Sequence, residues 1–234
     1  MNNHNSFILS SITDILKEAV SASAGIGSGI ETYPLCYYIM QSVFLKMTGF
    51  QEQKMKCICW ELATNDYEYR RVLLADKDQL GECSTFKAKN MIYKRLVDET
   101  GLLDDKDKRS ILIETFLDIK KTFSDTNLSI WAQQSFNWFI KHHKNFIKIV
   151  HFANKNNLLE GCLKYDLLYK HRNRCAHNTQ SYQQNLPTLK TLASENYQYE
   201  NYFVRFAILI LIDKIFMELY KNYLDTLKDN WDRQ

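Results

Sequence analysis

Residues 197–227 read YQYENYFVRFAILILIDKIFMELYKNYLDTL, and this stretch decides the fold. Phe203, Ala207, Ile210, Leu211, Lys214, Ile215 and Leu219 recur with the spacing of a helix face and not with the alternation of a strand. No Gly or Pro interrupts the run, so it predicts one long helix. Its most apolar part, Phe206 to Ile212, is bracketed by Arg205 and Asp213 and falls far short of the roughly 20 residues that cross a bilayer. It reads as a core helix, and no membrane segment is expected.

The rest of the chain agrees with that reading. Of 234 residues only 7 are Gly and 2 are Pro, where average usage of the two types is about 12%. Sandwiches, barrels and doubly wound sheets need many tight turns, and each turn type calls for Gly or Pro at set positions. With 45% hydrophobic, 13% aromatic and 24% charged residues, the chain can bury a real core, which excludes a disordered or collagen-like chain. The expected fold is all-α, a bundle of about seven or eight helices in a single domain. Residues 1–30 would supply a first helix and a Gly-rich linker, and residues 31–234 the main bundle.

Helical patterns are placed at residues 6–22, from Pro34 onward through Leu62, and at 85–99, 105–123, 128–152 and 158–175. From Pro34 the buried face is predicted to hold Tyr37, Met40, Phe44, Met47, Ile58 and Leu62, with Gly49 a possible kink. The cluster Ser23-Ala24-Gly25-Ile26-Gly27-Ser28-Gly29 superficially resembles a phosphate loop. No strand precedes it and no Lys-Ser or Lys-Thr follows it, so it reads as a linker. Residues 178–196, NTQSYQQNLPTLKTLASEN, are polar, contain Pro187 and lack a period; they form the longest predicted loop, and long loops are often functional.

The formal charge is +3, too small for a broadly attractive surface, so any site for a polyanion must be local. Cys36, Cys57, Cys59, Cys83, Cys162 and Cys175 are scattered, and the N-terminus MNNHNSFILSS lacks the pattern of a signal peptide. A reducing cytoplasm is the expected location. His142, His143 and His151 lie at offsets that do not set two ligands on consecutive helical turns. Cys57 and Cys59 point about 200° apart on a helix. Both sets read as structural, and neither a metal nor another cofactor is expected.

Local positive charge does occur late in the helix predicted over 158–175. The face made by Leu158, Cys162, Tyr165, Leu168 and Tyr169 continues into Arg172, Cys175 and Ala176, which sets an arginine within an apolar stripe. A buried guanidinium requires a carboxylate, a phosphate or a carbonyl. The surrounding residues 170–178 are KHRNRCAHN. Asn173 and His177 are neighbours on a helix surface, and Asn178 with Thr179 suits a helix end. Arg172, Asn173 and His177 would then converge beside the long polar loop.

This string resembles the Arg-x4-His motif of the HEPN superfamily in its Arg-Asn-x-x-x-His form. Chance alone supplies about 0.2 matches to the bare spacing in a chain of this composition, and about 0.016 with Asn in second place. The resemblance implies an all-helical domain and a metal-independent endoribonuclease. It also implies a homodimer whose two motifs share one cleft, and an acidic residue from an earlier helix. The counterpart of that acid lies within residues 49–61, GFQEQKMKCICWE, as Glu52, which can pair with Lys56 four residues on, or as Glu61.

RNA carries its own nucleophile, the 2′-hydroxyl. His177 could move protons near neutral pH, and Arg172 could hold the nonbridging phosphate oxygens through a planar set of donors. Asn173 would orient His177 or the phosphate, while Lys170, Arg174 and Lys56 would attract the strand. Tyr182, in the polar loop, is the first choice for stacking on a base. The expected activity is cleavage of single-stranded or loop RNA, as a toxin or an effector of prokaryotic defence, with a possible neutralising or activating partner. The alternative is a non-catalytic helical module that binds RNA, a nucleotide or a partner protein.

Overall fold

Helix α10, Tyr202–Asp232, runs 31 residues and forms the axis of the molecule. From Tyr202 to Asp213 every residue is buried. A helix apolar on all sides is stable only where other elements surround it, and here α6 (Asp105–Phe123), α5 (Phe86–Thr100) and α3 (Tyr33–Asn65) pack around it. The computed structural model describes residues 3–27, 29–75, 83–159, 164–176 and 201–232. Among the described residues there are ten α-helices and no strand, which makes the fold all-α. The remaining helices are α1 (Asn3–Ile8), α2 (Thr13–Ser23), α4 (Tyr67–Ala75), α7 (Asn127–Trp131), α8 (Gln133–His142) and α9 (Lys164–Ala176). None of the described helices is long and apolar enough to cross a membrane.

Helix α3 is the second long rod. Pro34 sits in its first turn, where the missing N–H costs nothing. Met40, Phe44, Met47, Ile58 and Leu62 are buried along one side, as their spacing predicts, while Tyr37 remains 43% exposed. Gly49 lies inside the continuous helix and causes no break. Helices α5 and α6 keep their predicted spans. Thr85 caps α5 by accepting from the Ala88 N–H at 3.2 Å, and Asp104 caps α6 by accepting from Asp107 at 2.7 Å. Gly101 ends α5 with φ of +80°, a conformation that costs a residue without a side chain little.

Four segments depart from the expectation. Residues 6–22 form two helices instead of one, because Asp213 Oδ2 accepts from the Ile12 N–H at 3.1 Å and Lys54 Nζ donates to the Ser10 carbonyl at 2.6 Å. Those contacts satisfy the backbone groups freed by the break. Ile8, Ile12 and Leu16 are fully buried against the bundle. Helix α4 was not anticipated; it is a short, largely exposed element packed on α3.

Residues 128–152 likewise are not one helix. Ala132 leaves helical geometry at φ −104° and ψ 29°, separating α7 from α8, and two 3-10 turns (His143–Asn145 and Ile149–Phe152) follow. Finally, Leu158 lies outside α9. Leu159 adopts a left-handed φ of 58° and donates its N–H to the His151 carbonyl, which turns the chain before α9 begins.

Candidate functional site

Helix α9 carries the sequence KYDLLYKHRNRCA. Leu168 and His171 are buried, Tyr169, Arg172, Asn173 and Cys175 are half-buried, and Lys170 is exposed. The side that enters the core is therefore Leu168, His171 and Cys175, spaced three and four apart, and Arg172 lies at its edge rather than mid-stripe. His171 Nε2 is 3.1 Å from the Tyr202 hydroxyl and 3.3 Å from Cys175 Sγ. Its ring packs on Phe44 at 5.3 Å and Tyr202 at 5.6 Å. This histidine docks α9 against α3 and α10. Sequence reasoning passed over it in favour of its neighbour, although its spacing from Leu168 and Cys175 carried the signal.

Docking through His171 turns the next residue toward the flank of α3. Arg172 Nη1 donates to Asn173 Oδ1 at 3.0 Å, and Arg172 Nη2 reaches Glu52 Oε2 at 3.5 Å, across 120 residues of chain. Glu52 Oε1 in turn accepts from Lys56 Nζ at 2.8 Å. The side chains of Arg172, Glu52 and Lys56 are 28%, 19% and 35% exposed. Two cations thus share one carboxylate at a partly desolvated site, where the Arg172 side chain remains partly exposed.

Of the residues singled out in the sequence, Arg172, Asn173, Glu52 and Lys56 come together, and Lys170 lies on the outer side of the same helix. The Arg174 side chain, His177 and Tyr182 lie outside what is described. Glu61 is engaged elsewhere: its Oε1 is 2.8 Å from His4 Nδ1 on α1, and it sits nine residues from Glu52, about 13 Å along α3.

A thiol pair adjoins the cluster. Cys59 and Cys83 are hydrogen-bonded to each other, and the Tyr69 hydroxyl lies 3.9 Å from Cys59 Sγ. The Cys83 thiol is held below its ordinary value, first by the Cys59 hydrogen bond and also by the charges of Lys56 and Lys89, against burial and Glu52. Cys59 is pushed up, by the same hydrogen bond and by burial. Lys56 therefore acts on a thiol and on a carboxylate together.

His142 and His143 stack on Trp138 and Phe116 at centroid distances of 4.8 and 3.8 Å, and His151 is buried. Among the described residues no group of three His, Cys, Asp or Glu is arranged to hold a metal ion. Compared with known protein families, curated proteins and solved structures, the chain matches none of them.

Proposed function

We propose that the chain is a HEPN-type endoribonuclease that cuts single-stranded or loop RNA without a metal. The observation that carries this reading is the arginine of the Arg-Asn-x-x-x-His string, held between Asn173 at 3.0 Å and Glu52 at 3.5 Å with its side chain partly exposed. An arginine fixed on two sides offers its remaining N–H groups to an incoming phosphate with little further loss of rotamer freedom.

In the proposed reaction the 2′-hydroxyl of the substrate attacks the adjacent phosphorus. His177 removes the hydroxyl proton or protonates the leaving 5′-oxygen. Arg172 neutralises the charge that builds on the nonbridging oxygens. Asn173 and Glu52 are positioning residues for Arg172, while Lys56, Lys170 and Arg174 draw in the strand and Tyr182 stacks on a base. The P–O5′ bond breaks, leaving a 2′,3′-cyclic phosphate and a 5′-hydroxyl. One motif histidine per chain cannot serve as base and acid in the same step, so two chains share a cleft in a homodimer. The biological role that fits is a cytoplasmic toxin or defence effector with a neutralising or activating partner.

Incubating the purified chain with total RNA and EDTA tests the reading. Wild type should cleave, leaving cyclic phosphate ends, and Arg172→Ala and His177→Ala should not. Loss of cleavage on adding chelator, or its persistence in both variants, overturns the proposal in favour of a non-catalytic binding module.

A further inference from the structure

Two thiols, two lysines and a tyrosine meet where α3, α4 and the entry to α5 come together. Cys59 is fixed on α3, whereas Cys83 stands in non-helical backbone two residues ahead of the α5 cap Thr85. The two thiols are hydrogen-bonded to each other. A buried cysteine in apolar surroundings is an inert core residue, and Cys36, 3% exposed and pushed up by burial, is of that kind. Cys83 is as buried, at 5%, but its surroundings are not apolar.

Three features suit the pair to chemistry between its sulfurs. First, cations gather at one of them. Lys89, itself buried, reaches back from α5 to donate to the Ser84 carbonyl at 2.7 Å, which sets its ammonium beside Cys83, and Lys56 lies three residues before Cys59 on α3. The Cys59 hydrogen bond first, and then the charges of Lys56 and Lys89, make Cys83 the thiol that ionises, and the same hydrogen bond makes Cys59 the one that keeps its proton. Second, the Tyr69 hydroxyl on α4 lies 3.9 Å from Cys59 Sγ, and the Arg95 guanidinium carbon stands 5.4 Å from the Tyr69 ring. That hydroxyl can steady negative charge on Cys59 once its own proton leaves. Third, the sulfurs need only close from hydrogen-bond contact to the ~2.05 Å of a bond, and the non-helical backbone at Cys83 can follow without unwinding a helix.

We propose that Cys59 and Cys83 are an oxidative modification site, at which hydrogen peroxide forms a reversible disulfide between them. The Cys83 thiolate attacks one peroxide oxygen and the O–O bond breaks, giving a Cys83 sulfenic acid and a hydroxide that takes the Cys59 proton and leaves as water. The Cys59 thiolate then attacks the Cys83 sulfur, the S–O bond breaks, and the departing hydroxide takes a proton from solvent. Two thiols have lost two electrons and two protons, and one peroxide has become two waters. With Cys83 5% exposed and Cys59 half-buried, the oxidant must be small. The disulfide ties α3 to the entry of α5 and removes a thiolate from beside Lys56. The inference stands on the thiols and does not depend on the proposed nuclease activity.

Peptide mapping of the folded, reduced full chain after brief treatment with hydrogen peroxide at neutral pH tests this. Free thiols are blocked, the chain is digested with trypsin without reductant, and the fragments are weighed. Residues 57–70, which contain Cys57 and Cys59, should be joined to residues 78–87, which contain Cys83, and dithiothreitol should release them. Cys57→Ser should keep the link and Cys59→Ser should lose it. The serine hydroxyl of Cys59→Ser keeps a donor for Cys83, so this variant should hold a Cys83 sulfenic acid that dimedone traps. Cys83→Ser should consume peroxide about tenfold more slowly than wild type. The wild-type map carries the test by itself if a buried serine impairs folding. No link between these fragments in the folded chain, a link that survives in Cys59→Ser, a link only between two chains, or equal peroxide consumption by folded Cys83→Ser overturns the inference.

Discussion

Lys54 Nζ lies 2.5 Å from Asp213 Oδ1 in the centre of the bundle, with the two side chains 0% and 1% exposed. Burial pushes the Asp213 carboxyl up and the Lys54 ammonium down, each opposed by the charge of the other. The pair also organises backbone, since Lys54 donates to the Ser10 carbonyl and Asp213 accepts from the Ile12 N–H. It joins α3, α10 and the break between α1 and α2.

Removing one partner leaves the other charge buried and alone, so Lys54→Met or Asp213→Leu should cost about 3–5 kcal/mol in urea unfolding. The double variant Lys54→Met/Asp213→Asn removes both charges and keeps an acceptor for Ile12. It leaves chiefly the Ser10 carbonyl without its donor, at about 1–3 kcal/mol. The double variant should therefore be more stable than Lys54→Met alone, and the reverse order would show that the ion pair is not what holds the break.

A second link between helices should respond to pH. Lys214 on α10 lies 2.9 Å from Glu114 and 3.1 Å from Asp118 on α6. Burial pulls the Lys214 ammonium down, but the two carboxylates outweigh it and the net shift is upward from 10.5. Glu114 is held below its ordinary 4.5, chiefly by the Lys214 hydrogen bond. The lysine's contribution is complete below pH 10.5 and is lost as pH rises through the raised folded value. That of Glu114 is complete above 4.5 and is lost as pH falls through the lowered one. Because Glu114 is 53% exposed, the link should be worth no more than about 1 kcal/mol. Melting curves of wild type and Lys214→Met should differ by about 2–4 °C between pH 6 and 9 and converge at both extremes.

What the sequence made legible was local. The spans of α5 and α6 followed from helical patterning, and α10 followed from a run without breakers. The divided N-terminal helix was illegible because its break is stabilised by Lys54 and Asp213, 44 and 201 residues away. The break at Ala132 has no Gly or Pro to announce it, and tertiary packing overrides helix propensity there. At the site, Glu52 was nominated beside Glu61 only through the family resemblance, whereas helical spacing placed Arg172 too deep. A phase difference of one residue, about 100°, sets His171 in the core in place of Arg172, and that phase depends on Tyr202 and Phe44, which no local pattern contains.

The Glu52–Arg172 contact separates a positioning role from a merely structural one. Arg172→Lys keeps the charge but loses the second donor, so it should bind RNA within about threefold of wild type while cleaving about a hundredfold slower. Glu52→Gln keeps a neutral acceptor for Arg172 and removes one negative charge from the cluster, so it should bind RNA at least as tightly, yet cleave about tenfold slower. Both should unfold within about 1 kcal/mol of wild type, since the pair is partly exposed. Filter binding with a non-cleavable 2′-deoxy strand, beside single-turnover cleavage, gives the two readouts. Parallel losses in binding and rate would reduce Glu52 to a surface ion-pair partner.

The proposed shared cleft makes the sharpest demand, because each motif must then act on substrate held by two chains. Arg172→Ala and His177→Ala homodimers each lack one kind of group entirely and should be inactive. Mixed and allowed to exchange, about half of the dimers become heterodimers by random pairing. In each heterodimer the common cleft contains one intact Arg172 and one intact His177, on different chains. With one imidazole where wild type has two, either the base or the acid is missing, so activity should reappear only in part, at about one per cent of wild type or less but above either homodimer, and depend on chain concentration. If both groups instead acted within one chain, no pairing could restore them, and a mixture as inert as its components would exclude the shared cleft.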